Sequence, residues 1–155
     1  MPAVLVILGS KSDLEIGQKA VATLKKFGVE ASMVVASAHR TPERVRRIVE
    51  TSDADVFIAV AGLSAALPGA IASITVKPVI GVPVSGKVNL DSILSIVQMP
   101  PGIPVAAVGI DRGENAALLA VEMLALKHPK LKGKLVKHRK EMADQVEKDS
   151  LEVSG

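Results

Sequence analysis

A chain of 155 residues, 48% hydrophobic, 23% charged and with a formal net charge of +3, has the length of one domain and the apolar content to fill its core, which excludes intrinsic disorder. The absence of cysteine excludes a disulfide scaffold, a thiolate metal site and a cysteine nucleophile, and fits a reducing cytoplasm. Phe27 and Phe57 are the only aromatic residues, too few for a base-stacking platform, and the basic residues around Arg44, Arg46 and Arg47 and from Lys130 to Lys140 read as solvated faces rather than a nucleic-acid surface.

Met1-Pro2 leads straight into an apolar run at residues 4–8 that reads as a buried strand; no basic segment precedes it, so no signal peptide is expected, and no apolar run is long enough to span a bilayer. Residues 13–27 read as a helix with Leu14, Ala20, Val21 and Leu24 inward. Ser12 and Glu15 have capping-box spacing at its start, and Gly28 sits where a C-terminal glycine belongs. Residues 29–35 are the second strand. Thr41-Pro42 then opens a helix, with Thr41 as cap, Val45, Ile48 and Val49 inward, and Arg44, Arg46, Arg47 and Glu50 outward. Residues 55–60 are the third strand. The uncharged stretch 65–75 is expected to be buried, or packed on another subunit, if helical. Strand four follows at 78–82, a helix at 90–98, strand five at 105–110 and an Ala/Leu-rich helix at 114–126. A last amphipathic helix runs from Lys130 to about Lys148, with Leu131, Leu135, Met142 and Val146 on one face, and residues 150–155 read as a polar tail.

Strands alternating with helices predict an α/β fold: a parallel sheet covered on both faces, with order 2-1-3-4-5 and its switch point between strands one and three. With no repeat, linker or low-complexity segment, residues 1–155 are read as one domain, with a core of about 3–127 and a C-terminal helix and tail at 128–155.

In such a sheet ligands bind beyond the carboxyl ends of the strands, at the switch point. Three loops meet there: Gly9-Ser10-Lys11-Ser12-Asp13, Ser37-Ala38-His39-Arg40-Thr41-Pro42, and Ala61-Gly62-Leu63-Ser64-Ala65-Ala66-Leu67-Pro68-Gly69. Gly9 and Gly62 let backbone approach a ligand closely. Ser10 and Ser12 lie at a helix amino terminus, which favours an anion. Asp13 can accept hydrogen bonds from ribose-like hydroxyls, and Arg40 offers a fork for phosphate. His39, the only histidine outside the carboxyl-terminal region, is the proton carrier. Each loop alone has a plainer explanation: a turn and cap, a helix start, a first-turn acid. Their convergence on one rim points to a site for a phosphorylated, hydroxyl-rich ligand. Strands one and three lack the terminal carboxylates of a phosphate-accepting receiver domain. No aromatic group is placed to stack a flavin, neither the dinucleotide fingerprint nor the P-loop pattern is present, and His39, His128 and His138 lack metal-ligand spacing.

The first two loops and Leu67-Pro68-Gly69 of the third, with Pro78-Val79-Ile80-Gly81-Val82-Pro83-Val84 and the stretch from Asp91-Ser92 through Ser95-Ile96-Val97-Gln98-Met99-Pro100, resemble the N5-carboxyaminoimidazole ribonucleotide mutases, the catalytic subunits of phosphoribosylaminoimidazole carboxylase in purine biosynthesis. The likeness runs from about Val4 to Leu126. It implies a flavodoxin-like three-layer αβα sandwich, a homo-octamer and no metal or organic cofactor. The implied enzyme moves a carboxylate from the exocyclic nitrogen of the substrate to ring carbon four by decarboxylation and recarboxylation. On this resemblance His39 shuttles the proton, Ser10, Asp13 and Arg40 bind the nucleotide, and Ser12, Ser37 and Ala38 add contacts. Gly62, Ser64 and Leu67 are expected in the third wall of the site.

One position departs from the family pattern. Where the third loop is expected to carry a second active-site histidine before Leu-Pro-Gly, this chain has Ala66. Two alternatives therefore stand beside the mutase: an impaired or inactive chain serving as an oligomeric scaffold, and a direct carboxylase of aminoimidazole ribonucleotide that uses carbon dioxide. The Leu67-Pro68-Gly69 stretch differs from the third loop of that carboxylase class.

Overall fold

The computed structural model describes residues 1–155. Five parallel strands, β1 (Ala3–Leu8), β2 (Glu30–Val35), β3 (Val56–Ala61), β4 (Val79–Pro83) and β5 (Ala106–Ala107), form one sheet of order β2-β1-β3-β4-β5. Six α-helices complete the chain: α1 (Leu14–Phe27), α2 (Pro42–Thr51), α3 (Leu67–Ala72), α4 (Asn89–Val97), α5 (Gly113–Ala125) and α6 (Pro129–Ser154). The expected flavodoxin-like sandwich with an extra C-terminal helix is what the chain forms.

Alternation along the strands sets the layers. Val4, Val6 and Leu8 of β1 join Val56, Ile58 and Val60 of β3 in a core shared with α1, α5 and the start of α6. Leu5 and Ile7, with Phe57 and Ala59, face the opposite core, made with Val45 and Val49 of α2, Ile71 of α3 and Ile96 of α4. Every residue of β3 and β4 is buried, as central parallel strands require.

The third loop and α3 are wedged against β4. A Cβ on Gly81 would lie 2.6 Å from Ile96 Cγ2 and 3.0 Å from Pro68 Cγ, so Pro68 and Ile96 fill the space above a bare strand position. A Cβ on Gly69 would meet Met99 at 3.4 Å. The strings Leu-Pro-Gly, Val-Ile-Gly-Val-Pro and Gln-Met-Pro are thus surfaces of one packed unit.

Local details depart from the sequence reading. The capping box expected of Ser12 is displaced: a single 3-10 turn, Lys11–Asp13, precedes α1, and Ser10 is its cap, accepting the Ser12 N–H. Glu15 pairs instead with Lys19 at 3.2 Å. Thr41 makes no cap bond, because its hydroxyl accepts the Ser37 N–H at 2.9 Å and donates to the Ser37 carbonyl at 3.1 Å. Gly28 behaves as expected, with φ 75° and its N–H returned to Leu24 and Lys25.

Strand five, expected over residues 105–110, pairs only at Ala106 and Ala107. Pro83 on β4 has no N–H to extend the ladder, and the chain turns away at Gly109, φ 124°. The uncharged stretch 65–75 is helical only over Leu67–Ala72, where Leu67, Pro68, Ile71 and Ala72 are buried within this chain. Residues 150–155 are not a separate tail, since α6 continues to Ser154. Of the expected face of α6 only Leu131 is buried and Leu135 partly so, whereas Met142 and Val146 are exposed because nothing packs on the outer half of the helix. No helix is long and apolar enough to cross a membrane.

Candidate functional site

The carboxyl ends of β1, β2 and β3 open into a hollow of about 360 Å³. Its walls are the three loops singled out above: Gly9, Ser10, Ser12 and Asp13 from the first, Ser37, Ala38, His39 and Arg40 from the second, and Ala61, Gly62, Leu63, Ala65, Ala66 and Leu67 from the third. Ser64 alone of the expected site residues is absent from the wall.

The first loop is held by its backbone. Gly9 donates to the Val60 carbonyl at 3.0 Å, so the end of β1 is tied to β3 before the chain turns. The Ser10 hydroxyl accepts from the Ser12 N–H at 3.4 Å and from the Ser12 hydroxyl at 3.1 Å, and Asp13 N–H returns to the Ser10 carbonyl at 3.1 Å. This tight turn places Asp13 at the floor with 6% of its surface exposed. No protein side chain bonds its carboxylate. Burial pushes the carboxyl above its ordinary range, opposed more weakly by a backbone hydrogen bond from Ser10. A buried acceptor facing a polar hollow suits a ligand that brings its own hydroxyl donors.

The second loop is an Arg-Ser-Thr knot. The Ser37 hydroxyl accepts from the backbone N–H of Arg40 at 3.1 Å and from its Nε at 3.3 Å, which leaves the serine proton free to donate. Arg40 Nη2 donates to the Gly9 carbonyl at 3.1 Å and so ties the second loop to the first. None of the six ion pairs in the chain includes Arg40. Its charge is therefore unspent at the rim, beside a floor with one carboxylate. His39 is exposed at the mouth, and it is the only imidazole there.

In the third loop Ala65 N–H closes a turn onto the Gly62 carbonyl at 3.1 Å. Ser64 stands in that turn at φ 51°, and its N–H is bonded at 2.7 Å to the carboxylate of Asp91, which explains its absence from the wall. Ala66 precedes α3 and presents only a methyl group. A Cβ on Gly9 or Gly62 would meet its nearest protein atom at 3.5 Å and 3.6 Å. Neither glycine is thus demanded by the packing of the chain, and the bare backbone gives its space to the hollow.

A larger hollow of about 480 Å³ lies around Ala72, Lys77, Ile103 and Met123. Its one titratable group, Lys77, is engaged with the Ser52 carbonyl at 3.0 Å. Convergent polar groups, not volume, distinguish the first hollow.

The family model described as AIR carboxylase matches residues 3–145. The chain is 62% identical over 144 residues to the N5-carboxyaminoimidazole ribonucleotide mutase of Methanocaldococcus jannaschii, covering 92% of each. It is 53% identical over 147 residues to the mutase of Pyrococcus abyssi, covering 92% of this chain and 84% of that one. The crystal structure of Treponema denticola PurE superimposes with a TM-score of 0.89 at 29% identity, covering 98% of both chains.

Proposed function

Because the chain belongs to the AIR carboxylase family, we propose that it is a purine-biosynthetic mutase converting N5-carboxyaminoimidazole ribonucleotide to 4-carboxy-5-aminoimidazole ribonucleotide in the hollow at the ends of β1, β2 and β3. The observation that carries this reading is the convergence of one imidazole, one unpaired guanidinium and one buried carboxylate on walls otherwise made of small residues.

The chemistry follows from these groups. Arg40 and the N–H groups around Ser10 and Ser12 take the phosphate. Asp13 accepts from the ribose hydroxyls, and the Ser37 hydroxyl and the Ala38 backbone border the ring. In the first step the bond between the exocyclic nitrogen and the carboxyl carbon breaks. Carbon dioxide leaves and the nitrogen takes up a proton. In the second, ring carbon four attacks the carbon dioxide, a carbon–carbon bond forms, and the proton on that carbon departs. One proton is gained and one is lost. A single acid–base group that gives a proton to nitrogen and recovers one from carbon four therefore closes the cycle, and His39 is that group. Walls of Gly62, Ala65, Ala66 and Leu67 keep the released carbon dioxide within reach of the ring. The scheme calls on no cofactor, and with Ala66 in the third wall both proton transfers fall to His39. The chain works as a cytoplasmic homo-octamer; the exposed Met142, Val146, Leu151 and Val153 of α6 support burial between copies.

Turnover of N5-carboxyaminoimidazole ribonucleotide tests the reading. The intact chain and Ala66→His are expected to turn over. His39→Asn is expected to lose about 10²-fold to 10⁴-fold in kcat while still binding aminoimidazole ribonucleotide. An inert intact chain beside an active Ala66→His variant overturns the sufficiency of one imidazole, and retained turnover in His39→Asn removes that residue's role. Light scattering at a mass other than that of eight chains overturns the octamer.

A further inference from the structure

Asp91 belongs to one of the strings that mark the family resemblance, yet the chemistry above leaves it unused. It lies in the first turn of α4, half-buried, and forms no ion pair. Its carboxylate reaches across 27 residues of sequence to accept the Ser64 N–H at 2.7 Å, a length expected of a charge-assisted bond. Ser64 is one of two non-glycine residues at positive φ, at 51°. That conformation is disfavoured for a side chain with a Cβ and needs a partner to hold it.

The end of α4 that carries Asp91 is itself fixed. Ser92, 2% exposed, donates its hydroxyl to the Val84 carbonyl at the end of β4, at 3.0 Å. The Ser95 hydroxyl donates to the Asp91 carbonyl at 2.7 Å. Val84 in turn borders Gly62, at 3.6 Å from a Cβ placed there. Asp91 therefore grips the third loop from an element anchored to the sheet. Immediately after Ser64 come Ala65, Ala66 and Leu67, which line the same hollow as His39.

We propose that Asp91 is a positioning residue for the carboxylate transfer: it holds Ser64 in the left-handed conformation and so sets the wall that confines the reacting end of the substrate. The proposal rests on the mutase reading. The phosphate and ribose grips lie on the other two loops, so loss of Asp91 acts on turnover more than on nucleotide affinity.

The test compares full-length Asp91→Asn, Asp91→Ala, Ser64→Gly and Ser64→Gly/Asp91→Ala with the intact chain. Folded fraction is read by circular dichroism, sites are counted by calorimetric titration with aminoimidazole ribonucleotide, and kcat is expressed per site. Asp91→Ala is expected to lose about tenfold to 100-fold in kcat per site, the range of a charge-assisted bond, and Asp91→Asn less. Affinity for aminoimidazole ribonucleotide is expected to stay within about threefold. Glycine takes positive φ without a steric penalty, so in the Ser64→Gly background the Asp91→Ala loss is expected to shrink to about a fifth or less. A merely structural role would lower the folded fraction and the number of sites together, leave kcat per site unchanged and overturn the proposal. An Asp91→Ala loss of the same size in the Ser64→Gly background overturns it too. An intact chain that leaves the mutase substrate unchanged overturns the mutase reading and this proposal with it, whereas an active intact chain beside an equally active Asp91→Ala overturns the role of Asp91 alone.

Discussion

Gly113 opens α5, and a Cβ placed on it would lie 2.2 Å from the carbonyl oxygen of Ile16 and 3.2 Å from its carbonyl carbon. The obstacle is backbone of α1, not the far end of a side chain, so it cannot turn aside. To bring the pair even to 3.0 Å one helix must retreat by about 0.8 Å, and both helices line the same core. Overpacking of this kind costs about 1–3 kcal/mol. At about 2–4 °C per kcal/mol for a domain of this size, Gly113→Ala is expected to lower the melting temperature by about 2–12 °C. The same substitution at Gly133 provides the control. That residue lies within α6 with nothing within 4 Å of the added carbon, and replacing it removes the helix penalty of glycine, about 1 kcal/mol. Gly133→Ala is expected to raise the melting temperature by about 2–4 °C. Thermal unfolding of the two variants beside the parent, by circular dichroism at one protein concentration, decides the matter. A Gly113→Ala chain as stable as the parent would show that α1 and α5 can part without cost, and the close-contact reasoning would fail.

Asp13→Asn should separate stability from binding. Burial raises the folded-state value of Asp13 above its unfolded one. Its ionised form is therefore a burden on the fold, absent below the unfolded value and growing as pH rises through the folded one. The variant is expected to melt higher than the parent at pH 7, with the gain vanishing near pH 3. It should also bind aminoimidazole ribonucleotide about tenfold to 100-fold more weakly, through loss of a charged acceptor; a gain in stability that persists at low pH would contradict the burial argument. Arg40→Ala is expected to weaken phosphate-bearing ligands by a similar factor and to flatten the salt dependence of binding. Titration with the ribonucleotide and with its dephosphorylated nucleoside checks this, and an equal loss for both ligands would remove Arg40 from the phosphate.

The parts of the fold legible in the sequence were those written in period and punctuation. The continuous apolar run at residues 4–8, the Gly28 stop and the Thr41-Pro42 start located β1, α1 and α2, and the spacing of strands and helices led to the sheet order. The three rim loops followed, because the switch point of such a sheet is fixed once its order is known. What escaped depends on partners distant in sequence. Ser12 has the spacing of a cap, but nothing local shows that a 3-10 turn moves the cap to Ser10. Thr41 has the chemistry of a cap, but its hydroxyl is claimed by Ser37. The premature end of β5 is dictated by Pro83 on the neighbouring strand, and the bond between Asp91 and Ser64 joins segments whose proximity exists only after β3 and β4 have paired. The stripe of α6 was readable as amphipathic, but its periodicity does not say whether this chain covers it.

The seating of Pro68 and Ile96 over the bare Cα of Gly81 has a consequence for anyone who would redesign the third wall. Space at that spot is a shared quantity. A methyl group added at residue 81 must be offset by volume removed at 68 or 96, and a bulkier residue at 69 must be accommodated by Met99. Single-position libraries at residues 68, 69 and 81 would therefore return mostly misfits and make this support of the wall look immutable. Libraries that vary 68, 81 and 96 in concert would sample repackings that keep the backbone in place while changing what the hollow can admit.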